Sequence, residues 1–357
     1  MSFEPNQFRR AEVIDQPAVY RQGRWELFEP RAPVSRVLSG RLWQLRPGLT
    51  FTPYANPTPC NAHCAFCSEE LLRRDGDRLT AKTTISDLDR YFEGLDRAWR
   101  ELAGFPMGLS LSGLEATASP PWMLRLLGLV DAHGPLFPEK VLYSNGSGLC
   151  TTPALIDAMQ RTDFARVELS RSHFDEDINQ SIMRFNRREP VRRRAAFDQL
   201  VRSLHGRVAV KLSCILTRAG VSTLAAIEDY ITQAADLGVE QIVFRELSHL
   251  GDAYLTNRFT RWIDDNRVDV RGLMEGIQSS EGVLTAGWEF LGATSGYYYY
   301  NEVYRRRGIT VRLEYSSYIA HHEARQTGVL QKLVFHSTGD LCGDWVPNAL
   351  HIGNYYR

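Results

Sequence analysis

The sequence predicts an α/β chain folded as a partial (β/α)6 TIM-like barrel. An N-terminal extension covers 1–48 and the barrel 49–255, and a C-terminal region of antiparallel strands, 256–357, covers the barrel mouth. Three observations predict this. From residue 49 on, short β-type runs alternate with amphipathic helical stretches, the pattern of a parallel sheet with helices outside. Within the β-type runs apolar and polar residues alternate, so one face meets helices while the other is polar. Three of the six cysteines fall within eight residues, directly after the first run.

The β-type runs are 49–54, 107–113, 140–145, 165–171, 207–216 and 240–247. Between them lie helical patterns at 85–102, 121–132, 153–160, 191–204 and 223–237. The first helix gathers Leu88, Tyr91, Phe92, Leu95 and Trp99 on one face. Pro121 and Pro153 stand at helix starts, where a missing N–H costs little. Gly238 stands just past a helix end, as a C-cap does. In the second run Leu109 and Leu111 face the helices while Ser110 and Ser112 face inward. In the fourth, Val167 and Leu169 face out and Arg166, Glu168 and Ser170 face in. Thr50, Thr52 and Tyr54 form a similar inward set, so the lumen is built to hold something polar. In barrels of this kind the chemistry gathers at the C-terminal ends of the strands. After about residue 255 the pattern changes: 309–318 and 329–346 read as antiparallel strands, the second turning at Ser337-Thr338-Gly339-Asp340.

Composition narrows the function classes. Lys+Arg and Asp+Glu both number 42, so a chain devoted to coating nucleic acid or anionic membrane is disfavoured. A hydrophobic fraction of 43% excludes global disorder. No run approaches the roughly 18 apolar residues of a bilayer span, and the first residues carry no apolar signal segment. A reducing, cytoplasmic setting is expected, where six cysteines do not make a disulfide framework.

The cysteine loop reads Cys60-Asn61-Ala62-His63-Cys64-Ala65-Phe66-Cys67, after a Pro57/Pro59 segment that cannot continue the strand. Four thiolates would fill a cubane iron–sulfur cluster; three leave one iron open. An open metal position is what a catalytic site keeps.

This CxxxCxxC spacing, with Phe66 before the last cysteine and the loop after the first strand, resembles the radical S-adenosylmethionine (SAM) enzymes, and the resemblance runs over roughly 49–249. It implies Cys60, Cys64 and Cys67 as ligands of a [4Fe-4S] cluster whose open iron takes the amino and carboxylate groups of SAM. One electron, from a donor such as flavodoxin or ferredoxin, then cleaves the S–C5′ bond. The resulting 5′-deoxyadenosyl radical takes a hydrogen atom from the substrate. Ser112-Gly113-Leu114-Glu115 looks like a variant of the family's Gly-Gly-Glu motif, with Glu115 at the SAM ammonium. Phe66, Ser144, Asn145, Ser170 and Arg171 stand where further SAM contacts are expected, and Arg171 suits a carboxylate. Glu168, Lys211 and Arg245 are the expected substrate contacts. His173 is a candidate acid/base at the barrel mouth and Cys342 a candidate hydrogen-atom donor.

Cys150, Cys214 and Cys342 lack CxxC partners, which argues against a second cluster and for a small polar substrate, such as an intermediate of specialised metabolism. Decarboxylation, rearrangement, epimerisation and dehydrogenation all remain open, as does a peptide-modifying enzyme. From other classes stand a zinc-stabilised binding module, with His63 as fourth ligand, and a cluster protein without catalysis. The basic stretch Arg184 to Arg194 reads as a solvated helix start, not a nucleic-acid stripe, for no aromatics interleave it. Asp175 reads as a helix N-cap.

Overall fold

The computed structural model describes residues 18–21, 24–27, 32–72, 84–278, 287–296 and 298–357. The expected extension 1–48 lies partly outside the described residues, as does Tyr297. Strands in chain order are β1 (Ala18–Arg21), β2 (Arg24–Leu27), β3 (Val34–Leu38), β4 (Arg41–Tyr54), β5 (Gly108–Leu111), β6 (Glu139–Ser144), β7 (Arg166–Ser170) and β8 (Val210–Ile215). There follow β9 (Gln241–Arg245), β10 (Glu289–Ser295), β11 (Tyr299–Arg306), β12 (Ile309–Ser316), β13 (Val329–His336), β14 (Asp340–Cys342) and β15 (His351–Asn354). The helices are α1 (Leu88–Glu101), α2 (Pro120–Ala132), α3 (Ser147–Thr151), α4 (Pro153–Arg161), α5 (Glu176–Met183), α6 (Arg194–Leu204), α7 (Leu224–Asp236), α8 (Arg258–Asn266), α9 (Val270–Gln278) and α10 (Tyr318–Ala324).

The expected strands and helices form, with local causes visible at their ends. The Asp87 carboxylate accepts from the Arg90 N–H at 3.0 Å and opens α1; Thr223 does the same for α7. Asp175 caps α5, accepting from the Asp177 and Ile178 N–H groups. Pro120, one residue before the expected Pro121, takes the first position of α2. Gly238 has φ +71°, the left-handed geometry that ends α7. The first strand begins earlier than its β-type run suggests, because Arg41–Tyr54 also forms a hairpin with β3.

The chain divides into two compact units. The first holds 31–170, 185–210 and 325–357. Its sheet runs β15-β14-β13-β4-β5-β6-β7, with β4 to β7 parallel. β13 pairs antiparallel with β14, as expected of the C-terminal strands, and also pairs in parallel with β4, which the sequence reading did not foresee. Helices cover one face: Phe51 meets Trp99 of α1 at 5.8 Å between ring centroids, and Phe335 meets Tyr91 at 5.4 Å. Fully burying a side chain such as Phe51 contributes roughly 1.5–3 kcal/mol. The opposite face carries Thr50, Thr52 and Tyr54, in register with Lys332, Val334 and His336.

The second unit holds 171–184 and 211–324, together with β1 and β2. Its sheet runs β8-β9-β12-β11-β10-β1-β2. Here β8, β9 and β12 are parallel, and the remaining pairs are antiparallel. Helices α7 and α9 cover one face, with Tyr230 against Phe244 at 5.3 Å and the Arg271 guanidinium over the Tyr315 ring at 5.1 Å. Neither sheet closes on itself. Among the described residues no helix is long and apolar enough to cross a membrane.

Two helical glycines separate a packing requirement from simple chain flexibility. A Cβ at Gly148 in α3 would run into the Thr117 carbonyl, whereas one at Gly128 in α2 would meet nothing within 4 Å. Gly148→Ala should destabilise by about 1–3 kcal/mol, while Gly128→Ala should stabilise by roughly 0.5–1 kcal/mol. Urea midpoints at unchanged m-value read both, and equal midpoints would contradict the close approach of α3 to Thr117.

Candidate functional site

The candidate site is built at the C-terminal ends of β4, β5 and β6. Past Tyr54 the chain is stopped by Pro57 and Pro59, and buried Asn56 anchors the head of the cysteine loop. Its amide donates to the Glu115 carbonyl at 2.8 Å, while its oxygen accepts from the Thr58 N–H and hydroxyl at 3.0 and 2.9 Å. The loop is then pinned through Asn61. Its carbonyl accepts from the Asn186 N–H at 3.0 Å, its amide donates to Glu189 at 2.8 Å, and its amide oxygen accepts from Asn145 at 2.8 Å. A tight turn, Cys67 N–H to Cys64 carbonyl at 3.1 Å, sets the last two cysteines side by side. Tyr54 donates its hydroxyl to Glu69, in the short helical turn after Cys67.

All three cysteines are half-buried free thiols. Cys60 and Cys67 line one cavity of about 240 Å³ with His63, Glu69, Glu70 and Leu114. Burial pushes the Cys60 thiol up to about 11 and Cys67 to about 12. Cys64 is raised too, by burial first and then by its neighbours Cys67 and Cys60. Three thiolates packed this closely would repel one another, and a cationic cluster held by them would supply the compensating charge. Among the described residues no three His, Cys, Asp or Glu side chains converge tightly enough to hold a single metal ion. A multi-iron cluster, whose ligands stand apart around its own width, suits three thiols on one half-buried loop.

Glu115 is the hub beside this loop. It is buried, and its Oε1 accepts from the Thr117 N–H (3.1 Å), the Thr117 hydroxyl (2.6 Å) and the Ser144 hydroxyl (2.7 Å). Its Oε2 accepts from the Asn145 N–H at 2.7 Å, which leaves this oxygen room for one more donor. Burial raises the carboxyl above its ordinary value, against the pull of the Thr117, Asn145 and Ser144 hydrogen bonds. Ser144 and Asn145 thus hold Glu115, a role their positions in the sequence do not reveal. Gly113 has φ +96°, and a side chain there would strike the Tyr54 ring. Ser112 and Ser110 share a hydrogen bond of 2.9 Å on the inward face. Phe66 is half-buried in the loop.

At the end of β7, Ser170 is half-buried, and Glu168 is buried against the Arg166 guanidinium at 3.2 Å. Cys342 is wholly buried and stands in register with Val334, hence in one row with Thr52; burial pushes its thiol up to about 12. The second unit carries Arg171, His173, Lys211 and Arg245. Arg171 is buried, donates its backbone N–H to the Ser213 carbonyl at 3.0 Å and takes the Tyr230 hydroxyl on its own carbonyl at 2.7 Å. His173 accepts from the Asp175 N–H on Nδ1 at 3.0 Å, and burial lowers its basicity. Lys211 is buried, and Arg245 bridges Glu314 (2.8 Å) and Ser213 (3.0 Å).

Sequence reasoning missed Asn56, Asn61, Tyr54's link to Glu69, and the inward pair Lys332 and His336. The last two carried a signal, a period-two alternation with Leu333 and Phe335. The Lys332 ammonium lies 4.9 Å over the Trp345 ring, and burial lowers its basicity to about 8.

No protein-family model matches the sequence, and no curated protein does. Solved structures are similar to it. One is Streptococcus suis SuiB bound to S-adenosylmethionine, at 11% identity and a TM-score of 0.46, covering 83% of this chain. Another is anSMEcpe with bound AdoMet, at 15% identity and a TM-score of 0.47, covering 86% of this chain and 78% of that one. A third is the Escherichia coli coproporphyrinogen III oxidase HemN, described as a radical SAM enzyme, at 12% identity and a TM-score of 0.41, covering 72% and 67%. The chain spans 60% of the length of the SuiB structure.

His336 offers a pH test of the inward face. It is 2% exposed, its ring lies edge-on to Tyr54 at 5.7 Å, and burial pulls its pKa from 6.5 to about 4. The unfolded chain therefore takes the proton first. The neutral ring's contribution is complete above pH 6.5 and is lost as pH falls towards 4, in total roughly 3 kcal/mol. His336→Phe should remove that part of the acid destabilisation, read as a flatter dependence of unfolding free energy on pH between 4 and 6.5.

Proposed function

We propose that the chain is a radical SAM enzyme acting on a small polar substrate. The observation that carries this reading is the cysteine loop: three thiols after the first parallel strand, two of them, Cys60 and Cys67, lining one cavity, with the loop pinned through Asn61 to Asn145 beside Glu115. Cys60, Cys64 and Cys67 would hold three irons of a [4Fe-4S] cluster. A cluster bound there would supply, through its open iron, the electron that splits SAM into methionine and a 5′-deoxyadenosyl radical.

The chain's own residues bind, orient and exclude water. The free acceptor site on Glu115 Oε2 suits an ammonium group. Asn61 and Asn145 hold the loop at a fixed distance from that carboxylate. Tyr54 and Glu69 close the loop from behind, and buried Leu71 and Ala65 keep it dry. Ser112, Ser170 and Phe66 complete the SAM surroundings in this reading. Cys342, on the inward face, is a hydrogen-atom donor in waiting; His173, neutral at pH 7, is an acid/base candidate. Flavodoxin or ferredoxin would deliver the electron in the cytoplasm. The absence of a second cysteine set in the sequence supports a small-molecule substrate of specialised metabolism over a peptide.

Anaerobically reconstituted protein should bind about four irons per chain and turn brown. With a strong one-electron reductant it should convert SAM to 5′-deoxyadenosine and methionine. An intact cluster that yields neither product would overturn the enzyme reading. Cys64→Ala should lose the cluster, while Cys214→Ala, at a wholly buried position outside the loop, should keep it. Full iron content in the Cys64 variant would sink the ligand assignment, and one zinc per chain would replace it with a structural metal.

A further inference from the structure

The second unit carries a cationic face that the sequence reading saw only in part. On the sheet surface opposite α7 and α9, strand register places side chains in rows. One row holds Ser213, Val243, Arg312 and Val303. The next row towards the C-terminal ends of β8, β9 and β12 holds Ile215, Arg245, Glu314 and Asn301. Arg245 does not stay in its own row. Its Nε donates to Glu314 at 2.8 Å, but its Nη1 reaches Ser213 at 3.0 Å, in the row of Arg312. Arg245 therefore reaches into the row to which Arg312 belongs. Arg312 is half-buried, its Nε is shut off from solvent, and that Nε has no hydrogen-bond partner. Arg312 has no hydrogen bond or ion pair among the described residues. Its row neighbours Val243 and Val303 are apolar and can offer it nothing.

A guanidinium held against apolar neighbours without a counter-charge is costly unless something anionic reaches it. Glu314 meets one positive charge, that of Arg245, and leaves the other. The planar fork of an arginine matches the two oxygens of a carboxylate or phosphate. We infer that Arg312 and Arg245 form an oxyanion subsite on this face, which takes a carboxylate or phosphate group of the substrate. Arg312 is the main ligand and Glu314 the residue that tunes its partner. The inference rests on the reading of the chain as an enzyme with a small polar substrate, and it names that substrate's anionic character.

The test measures anion binding and not turnover, so its failure is distinct from a failure of SAM cleavage. Inorganic phosphate and acetate are titrated separately into the anaerobically purified full chain, at constant ionic strength set with chloride, by calorimetry. At least one should bind saturably, and which one does distinguishes phosphate from carboxylate; binding of neither overturns the inference. Arg312→Gln should weaken that binding roughly ten- to hundredfold, the loss expected for a charged hydrogen-bonding partner. Glu314→Gln should strengthen it, because Arg245 then loses its carboxylate counter-charge. Arg305→Gln, an exposed residue paired across from Thr310 at the other end of the strand, should leave it unchanged. Unaltered binding in Arg312→Gln would overturn the subsite. So would equal weakening in Glu314→Gln, which would point to damaged packing instead of a lost ligand.

Discussion

The buried Glu115 carboxylate is the constraint on which the first unit depends. A charged oxygen pair taken out of water must be met by donors, and here four are supplied within 3.1 Å, by Thr117 twice, Ser144 and Asn145. These donors come from the end of β6 and from the turn after β5. Satisfying one carboxylate thus fixes where these two segments stand. The Glu115 carbonyl extends the same network, since it accepts from Asn56 at the head of the cysteine loop. Asn145 closes it by reaching Asn61 inside that loop. Gly148, which lets α3 press on Thr117, belongs to the same device.

That network explains how a loop with three thiols can be held without a core of its own. Its backbone is irregular, and its anchors are side-chain amide bonds of Asn61 at 2.8 Å and a backbone bond from the Asn186 N–H to the Asn61 carbonyl at 3.0 Å. The proposed chemistry asks for such preorganisation, because ligand positions must not shift when charge on the site changes. In the second unit a different arrangement holds. Its open sheet face keeps cations, with Glu314 engaged by Arg245 and Arg312 left to an anion. The zero formal charge of the chain therefore says nothing of local surroundings, for each unit buries charges of both signs: Glu69, Glu115, Glu168 and Lys140 in the first, Arg171, Lys211, Glu228, Glu246 and Glu302 in the second.

Much of this was legible in the sequence because it rests on local rules. The alternation of Ser110 and Ser112 with Leu109 and Leu111 needs only the two-residue period of a strand. Asp175, Pro153 and Gly238 mark helix ends through their own backbone preferences. Pairings between distant segments escaped. The parallel seating of β13 against β4 brings Lys332 and His336 into rows with Thr50 and Tyr54, across more than 280 residues of chain, and nothing near residue 332 announces it. Arg312 was missed likewise: it becomes notable only when register sets it beside Val243 and Val303. Helices α8 and α9 escaped because their apolar stripes are short and crossed by charges.

By itself the sequence determined the parallel α/β alternation, the polar inward face and the three-cysteine loop after the first strand. Each stems from residue types a few positions apart, where covalent geometry dictates which groups meet. Only the tertiary structure decided which donors hold Glu115, which side chains brace the loop, and which arginine lacks a counter-charge. Those are questions of desolvation and pairing between groups far apart in the chain, and burial settles them only once the strands have taken their places.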